Sequence, residues 1–154
     1  MMKISKIDQK ILLAIQKSPT LSQSELADKL GMSRTSYWRH VKDLEDEGVL
    51  QERKTEIDAE KIGLSIRANC VISINNHSNE TRAKFEKHIM SMDNVLECYA
   101  TSGGKDYMLT VVARDIKDYY EMMSSTILDN STIESSQTSF LMKKIKSTHV
   151  LPIL

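Results

Sequence analysis

The sequence predicts an α+β chain in two parts, a small all-helical domain followed by a sheet domain carrying two helices. Three observations predict this. Apolar residues recur at helical spacing as far as Leu44. From Ile66 onward short runs alternate with period two, separated by two helical stripes. Between the two regimes lies a charged stretch, residues 49–63, where the pattern belongs to neither.

The first helix is expected over about residues 6–17. Ser5 and Asp8 have capping-box spacing, and Ile7, Ile11, Leu12 and Ile15 form one apolar stripe. Pro19 closes the helix, because a proline disfavours helical geometry in the residue before it. Residues 21–50 read as two more helices joined by a tight turn. Ser22 and Glu25 repeat the capping box, and Leu26, Ala27 and Leu30 follow at helical spacing. Gly31 suits the left-handed cap that ends this helix, and Ser33 is a fresh N-cap two residues later. Tyr37, Val41 and Leu44 give the next helix an apolar face, while Arg34, Thr35, Ser36, Arg39 and His40 lie on the other. A small residue, Ala27, four positions before the turn glycine lets the second helix cross closely, so the stretch is built as a helix-turn-helix.

Gly48 ends the third helix, and Val49-Leu50 with the charged run 51–56 reads as an extended connector or wing. Residues 58–63 resemble a single helical turn with an Asp58 cap and a Gly63 stop. The first domain is therefore expected over residues 1–50, a linker over 51–64 and the second domain over 65–154. In the second domain Ile66, Ala68, Cys70, Ile72 and Ile74 alternate with polar residues as a strand with one buried face. Phe85, Ile89 and Met92 form a helical stripe; Leu96, Cys98 and Ala100 start a second strand; Tyr107, Leu109 and Val111 start a third. Asp115 and Asp118 cap a long helix with a stripe of Ile116, Tyr119 or Tyr120, Met123 and Ile127. A fourth strand is expected over about 134–142, and the tail 147–154 is extended. The order β-α-β-β-α-β is the ferredoxin-like arrangement, with both helices on one sheet face. Its other face is expected to be apolar and covered by a second copy.

Composition places limits on function. Hydrophobic residues make up 40% and charged residues 27%, with zero formal net charge. The charge is uneven: residues 1–42 hold eight basic and three acidic side chains, net +5, whereas residues 43–60 hold two basic and eight acidic, net −6. The start of the third helix therefore suits a phosphate backbone and its end does not. No apolar run approaches transmembrane length and the N-terminus lacks a signal-peptide core, so a cytoplasmic protein is expected. Sequons at Asn76, Asn79 and Asn130 then read as chance matches, and Cys70 and Cys98 as buried free thiols about 10 Å apart across two strand spacings. His40, His77, His88 and His149 are scattered rather than clustered at zinc spacing, and catalytic signatures such as GxSxG and HExxH are lacking. No enzyme, metal or cofactor is expected.

DNA binding is expected instead, through Ser33, Arg34, Thr35, Ser36, Arg39, His40 and Lys42. Arginine can bind guanine O6/N7 or phosphate bidentately, and hydroxyls at a helix N-terminus suit phosphate. Trp38 reads first as core packing and second as a contact to the DNA edge.

With these elements in order, the chain resembles the Lrp/AsnC family of feast/famine transcription regulators. The likeness is carried by residues 8–12, by Glu25-Leu26-Ala27 with Leu30-Gly31, by residues 33–44 and by Glu47-Gly48-Val49-Leu50. It continues through Lys61-Ile62-Gly63-Leu64, a G-x-x-D-Y-hydrophobic match at residues 103–109, and Val150-Leu151-Pro152-Ile153. The resemblance implies an amino-acid-responsive, nucleoid-associated regulator of double-stranded DNA that dimerises through its sheets and assembles into octamers or similar rings. It also implies an effector site at the turn between the second and third strands, with Gly103, Gly104 and Asp106, joined by Ser135, Ser136 and Thr138. An architectural DNA-bundling protein without effector is the alternative. Two departures stand out: Arg34 and Ser36 occupy positions where relatives often have proline, and Arg39-His40 replaces a frequent arginine pair.

Overall fold

The computed structural model describes residues 4–51, 55–128 and 131–153. The chain divides into two compact units, Met1–Thr55 with Ile145–Leu154, and Glu56–Lys144.

The first unit contains α1 (Lys6–Lys17), α2 (Gln23–Lys29) and α3 (Arg34–Asp46). Both expected capping boxes form. Ser5 accepts from the Asp8 amide while Asp8 accepts from the Ser5 amide at 2.9 Å, and Ser22 with Glu25 repeats the exchange. Each exchange satisfies N–H groups that a helix start otherwise leaves without partners. Gly31 takes φ 65° and the Met32 amide reaches back to the Ala27 carbonyl at 3.0 Å, so the chain reverses into α3 within three residues. Ile11, Leu26, Ala27, Tyr37, Val41 and Leu44 form the core, with Leu12, Ile15, Leu21 and Leu50 packed around it. Ile7 departs from its expected stripe and is 47% exposed, whereas Asp8, its neighbour in the first turn of α1, is turned inward and buried. In the tail, Gln16 exchanges two hydrogen bonds with the Leu151 backbone. Of the expected connector or wing, Glu52, Arg53 and Lys54 lie outside the described residues, as does Asn130 of the third sequon.

The second unit opens with a 3₁₀ turn, Glu60–Ile62, stopped by Gly63 in the left-handed region. It continues as β1 (Ile66–Ile74), α4 (Asn79–Met90), β2 (Val95–Ala100), β3 (Tyr107–Ala113), α5 (Ile116–Met122), a π-helical stretch (Met123–Leu128) and β4 (Ile133–Phe140). The sheet order is β2-β3-β1-β4 and every neighbouring pair is antiparallel. Ala68, Cys70, Ile72, Ile74, Leu109 and Val111 pack with Phe85 and Ile89 of α4 and Tyr119 of α5, so both helices cover one face, as the ferredoxin-like order requires.

In the second unit four details differ from expectation. The long fifth helix is shorter, passing into the π-helical stretch at Met123, and Ile116 is 64% exposed while Tyr119 is buried; the side chain of Ile127 lies outside the described residues. Strand β4 ends at Phe140 rather than near residue 142. Cys70 and Cys98 both pair with Leu109 from opposite sides, two strand spacings apart as expected, but Cys98 is exposed because β2 is an edge strand. The open sheet face is mixed rather than apolar. Its cross-strand rows set Tyr99, Met108 and Val71 beside Gln137, and Glu97, Thr110 and Asn69 beside Ser139. Strand alternation commits Ala68, Cys70, Ile72 and Ile74 of β1 to the helix side and leaves Val71 as its apolar residue on the open face.

Candidate functional site

Each unit carries one candidate site. In the first, α3 presents Arg34, Thr35, Trp38, Arg39 and Lys42 to solvent. The spacing i, i+1, i+4, i+5, i+8 places them on one stripe, opposite the buried Tyr37, Val41 and Leu44. Ser33 caps the helix by accepting from the Ser36 amide at 3.2 Å, which leaves its hydroxyl hydrogen available to a ligand at the helix start. Ser36 is half-buried behind it. Between the start of α2 and α3 lies an open groove of about 350 Å³ lined by Gln23, Ser24, Arg34, Thr35, Tyr37 and Trp38. The position of Trp38 beside the apolar stripe predicts packing into the core, but it is 54% exposed, with the Lys42 ammonium 5.3 Å from its ring centre.

His40 sits differently from the other expected DNA contacts. Its Nδ1 lies 2.8 Å from Oδ1 of Asp8, whose side chain is nearly fully buried. Asp8 therefore serves two elements, capping α1 through Oδ2 and tying α3 to α1 through Oδ1. Burial pushes the Asp8 carboxyl up, but the Ser5 hydroxyl and amide and the His40 ring outweigh it and leave the group below its ordinary range. Sequence spacing identified Asp8 as a cap only; the link to His40 spans 32 positions and carries no local signal.

In the second unit the β2–β3 turn is organised by Asp106. Its amide donates to the Ile72 carbonyl at 2.9 Å, its carbonyl accepts from the Thr101 amide at 2.8 Å, and its carboxylate accepts from the Ile74 amide at 2.9 Å. The other carboxylate oxygen lies 2.8 Å from His77 Nε2. The Ile74 amide is the largest influence on the Asp106 carboxyl; with His77 and Arg82 it outweighs desolvation and holds the group below its ordinary range. Gly103 takes φ 137°, a conformation that L side chains rarely adopt, so the turn depends on glycine there. Gly104 follows it at the exposed tip. Lys105 reaches across to the Ser135 hydroxyl at 3.0 Å, which brings Ser135 to the same end of the sheet. Ser136 and Thr138 alternate to the helix side: Ser136 pairs with Ile72, and Thr138 shares a 2.7 Å hydrogen bond with the Tyr119 hydroxyl. The structure thus gathers Gly103, Gly104, Asp106 and Ser135, adds His77 and Lys105, and turns Ser136 and Thr138 to the other face. Among the described residues no group of three or more His, Cys, Asp or Glu side chains is placed to hold a metal ion.

Comparison with known proteins covers both units. The family model described as the Lrp/AsnC ligand binding domain matches residues 68–151, and that for a winged helix-turn-helix DNA-binding domain matches residues 4–51. The DNA-binding transcriptional activator DecR of Escherichia coli (strain K12) is 34% identical over 150 residues, covering 97% of this chain and 99% of that protein. A transcriptional regulator from Neisseria meningitidis, solved in complex with L-Met, superposes with a TM-score of 0.91 at 29% identity, covering 97% of both chains. An AsnC family regulator from Agrobacterium tumefaciens gives 0.87 at 32% identity, covering 96% of both.

Proposed function

The chain belongs to the Lrp/AsnC family of transcription regulators, and from that premise we propose which of its residues read DNA and which receive the effector. The protein is a DNA-binding regulator with a small-molecule domain. DNA is read by α3: Arg34 and Arg39 address base edges or phosphates, Ser33 and Thr35 take phosphate at the helix start, and Lys42 takes phosphate one turn further on. The single observation that carries this reading is the exposed stripe Arg34-Thr35-Trp38-Arg39-Lys42, which is cationic and backed by a fully buried face. His40 contributes through its remaining ring nitrogen, since Nδ1 is engaged by Asp8.

The effector is an amino acid, and it binds at the β2–β3 turn. Gly103 and Gly104 offer backbone N–H groups to its carboxylate, and Asp106 accepts from its ammonium beside His77. The L-Met bound by the Neisseria relative supports this ligand class. Exposed Tyr99, Met108 and Leu96 support pairing of two copies through the sheet domains, and the pairs assemble further into a ring. The protein works as a regulator without a catalytic step, in the cytoplasm at the nucleoid; among the described residues no helix is long and apolar enough to cross a membrane.

A thermal-shift screen of the free amino acids tests the effector reading. A ligand that binds only the folded state at a hundred times its Kd adds about 2.7 kcal/mol of stability, so at least one amino acid raises the midpoint by several degrees. The expected gain disappears in Asp106→Ala. No shift with any amino acid at millimolar concentration would overturn the reading.

A further inference from the structure

We propose that Trp38 is a base-reading residue, and that its indole makes an apolar contact with a thymine methyl in the major groove. This rests on the reading of α3 as the DNA-contacting helix. Trp38 lies at the centre of the exposed stripe, one turn after Arg34 and one turn before Lys42. It is the one large apolar side chain exposed on α2 or α3 among the described residues, at 54%. A tryptophan left in water at the middle of a cationic face is uncommon, since the residue is highly buried on average.

Its surroundings prepare it for a flat contact. The Lys42 ammonium lies 5.3 Å from the ring centre, a cation–π contact that restrains the ring while keeping the cation available for a neighbouring phosphate. On the other side the ring borders the groove it shares with Gln23, Ser24, Arg34 and Thr35. Arg34, Arg39 and Lys42 can satisfy acceptors on guanine or phosphate, but an indole face has nothing to offer them. Among the groups that base pairs present in the major groove, the thymine C5-methyl is the apolar one. The chemistry of the stripe therefore divides into cations for acceptors and one aromatic surface for a methyl group.

The test uses the tightest duplex obtained by in vitro selection from random DNA, with the full-length protein. Uracil replaces each thymine in turn, symmetrically in both half-sites, which removes the methyl and leaves every hydrogen-bonding group. At one position the change weakens the wild type about four-fold per half-site, the effect of one buried methyl, and leaves Trp38→Ala within two-fold of its own affinity. Trp38 is the only tryptophan, so its emission alone, excited beyond the tyrosines, also changes on binding the thymine duplex and changes less on the uracil duplex. Equal uracil effects in wild type and Trp38→Ala, or an emission unaltered by saturating DNA, overturn the proposal. In that case Arg39→Ala still weakens binding. Should the wild type bind no duplex in a salt-dependent manner, the DNA reading of α3 fails and takes this proposal with it.

Discussion

Each unit contains a carboxylate–imidazole pair, and the two share one distance with different consequences. Asp8 meets His40 at 2.8 Å and Asp106 meets His77 at 2.8 Å. Both carboxylates also accept a backbone amide, from Ser5 and Ile74 respectively, each at 2.9 Å. The surroundings differ. The Asp8 and His40 side chains are 6% and 21% exposed, whereas Asp106 and His77 are 26% and 60% exposed. In the helical unit the pair fixes α3 against α1 from within; in the sheet unit it holds a turn whose outer half faces water. Equal distances do not mean equal stabilisation, because removing one partner of a buried pair leaves a desolvated polar group behind.

Substitutions at the two pairs can break this contrast. Asp8→Ala removes a capping box and the partner of His40 together, and is expected to lower stability by about 2–3 kcal/mol in chemical denaturation followed by circular dichroism. Asp106→Ala removes the acceptor for the Ile74 amide at a partly exposed site, with an expected loss of about 1 kcal/mol in the same measurement. His77→Ala should change stability by less than about 0.5 kcal/mol, since His77 is 60% exposed and a polar contact there contributes little. Similar losses for Asp8→Ala and Asp106→Ala would show that burial is not what separates the pairs.

Acid adds a further handle. Both carboxyls are held below their ordinary range in the folded chain, so their contribution to stability is present above roughly pH 4 and is lost as pH falls through the lowered values. Asp8→Asn should therefore flatten the acid limb of the stability profile. A limb as steep as that of the wild type would assign acid lability to other carboxyls.

Much of this was legible in the sequence because its causes are local. Ser5 with Asp8 and Ser22 with Glu25 are three apart, Gly31 supplies its own backbone conformation, and β1 declares its buried face by alternation. What escaped depends on distant partners. The inward turn of His40 needs Asp8, and the engagement of Asp106 needs His77 and Ile74. Ile7 and Ile116 fit helical stripes but face solvent in the folded chain. Trp38 shows the reverse: its position beside the core stripe suggests packing, but α3 buries Tyr37, Val41 and Leu44 and leaves Trp38 facing outward.

The face of α3 proposed to read DNA stands on a core that none of its exposed residues enters. Equilibrium binding of the selected duplex by wild type and Arg39→Ala, paired with their melting midpoints, tests that role most directly. Arg39→Ala is expected to weaken binding by about 1–3 kcal/mol with an unchanged midpoint, because Arg39 is exposed and outside the core. Unchanged affinity would contradict that role.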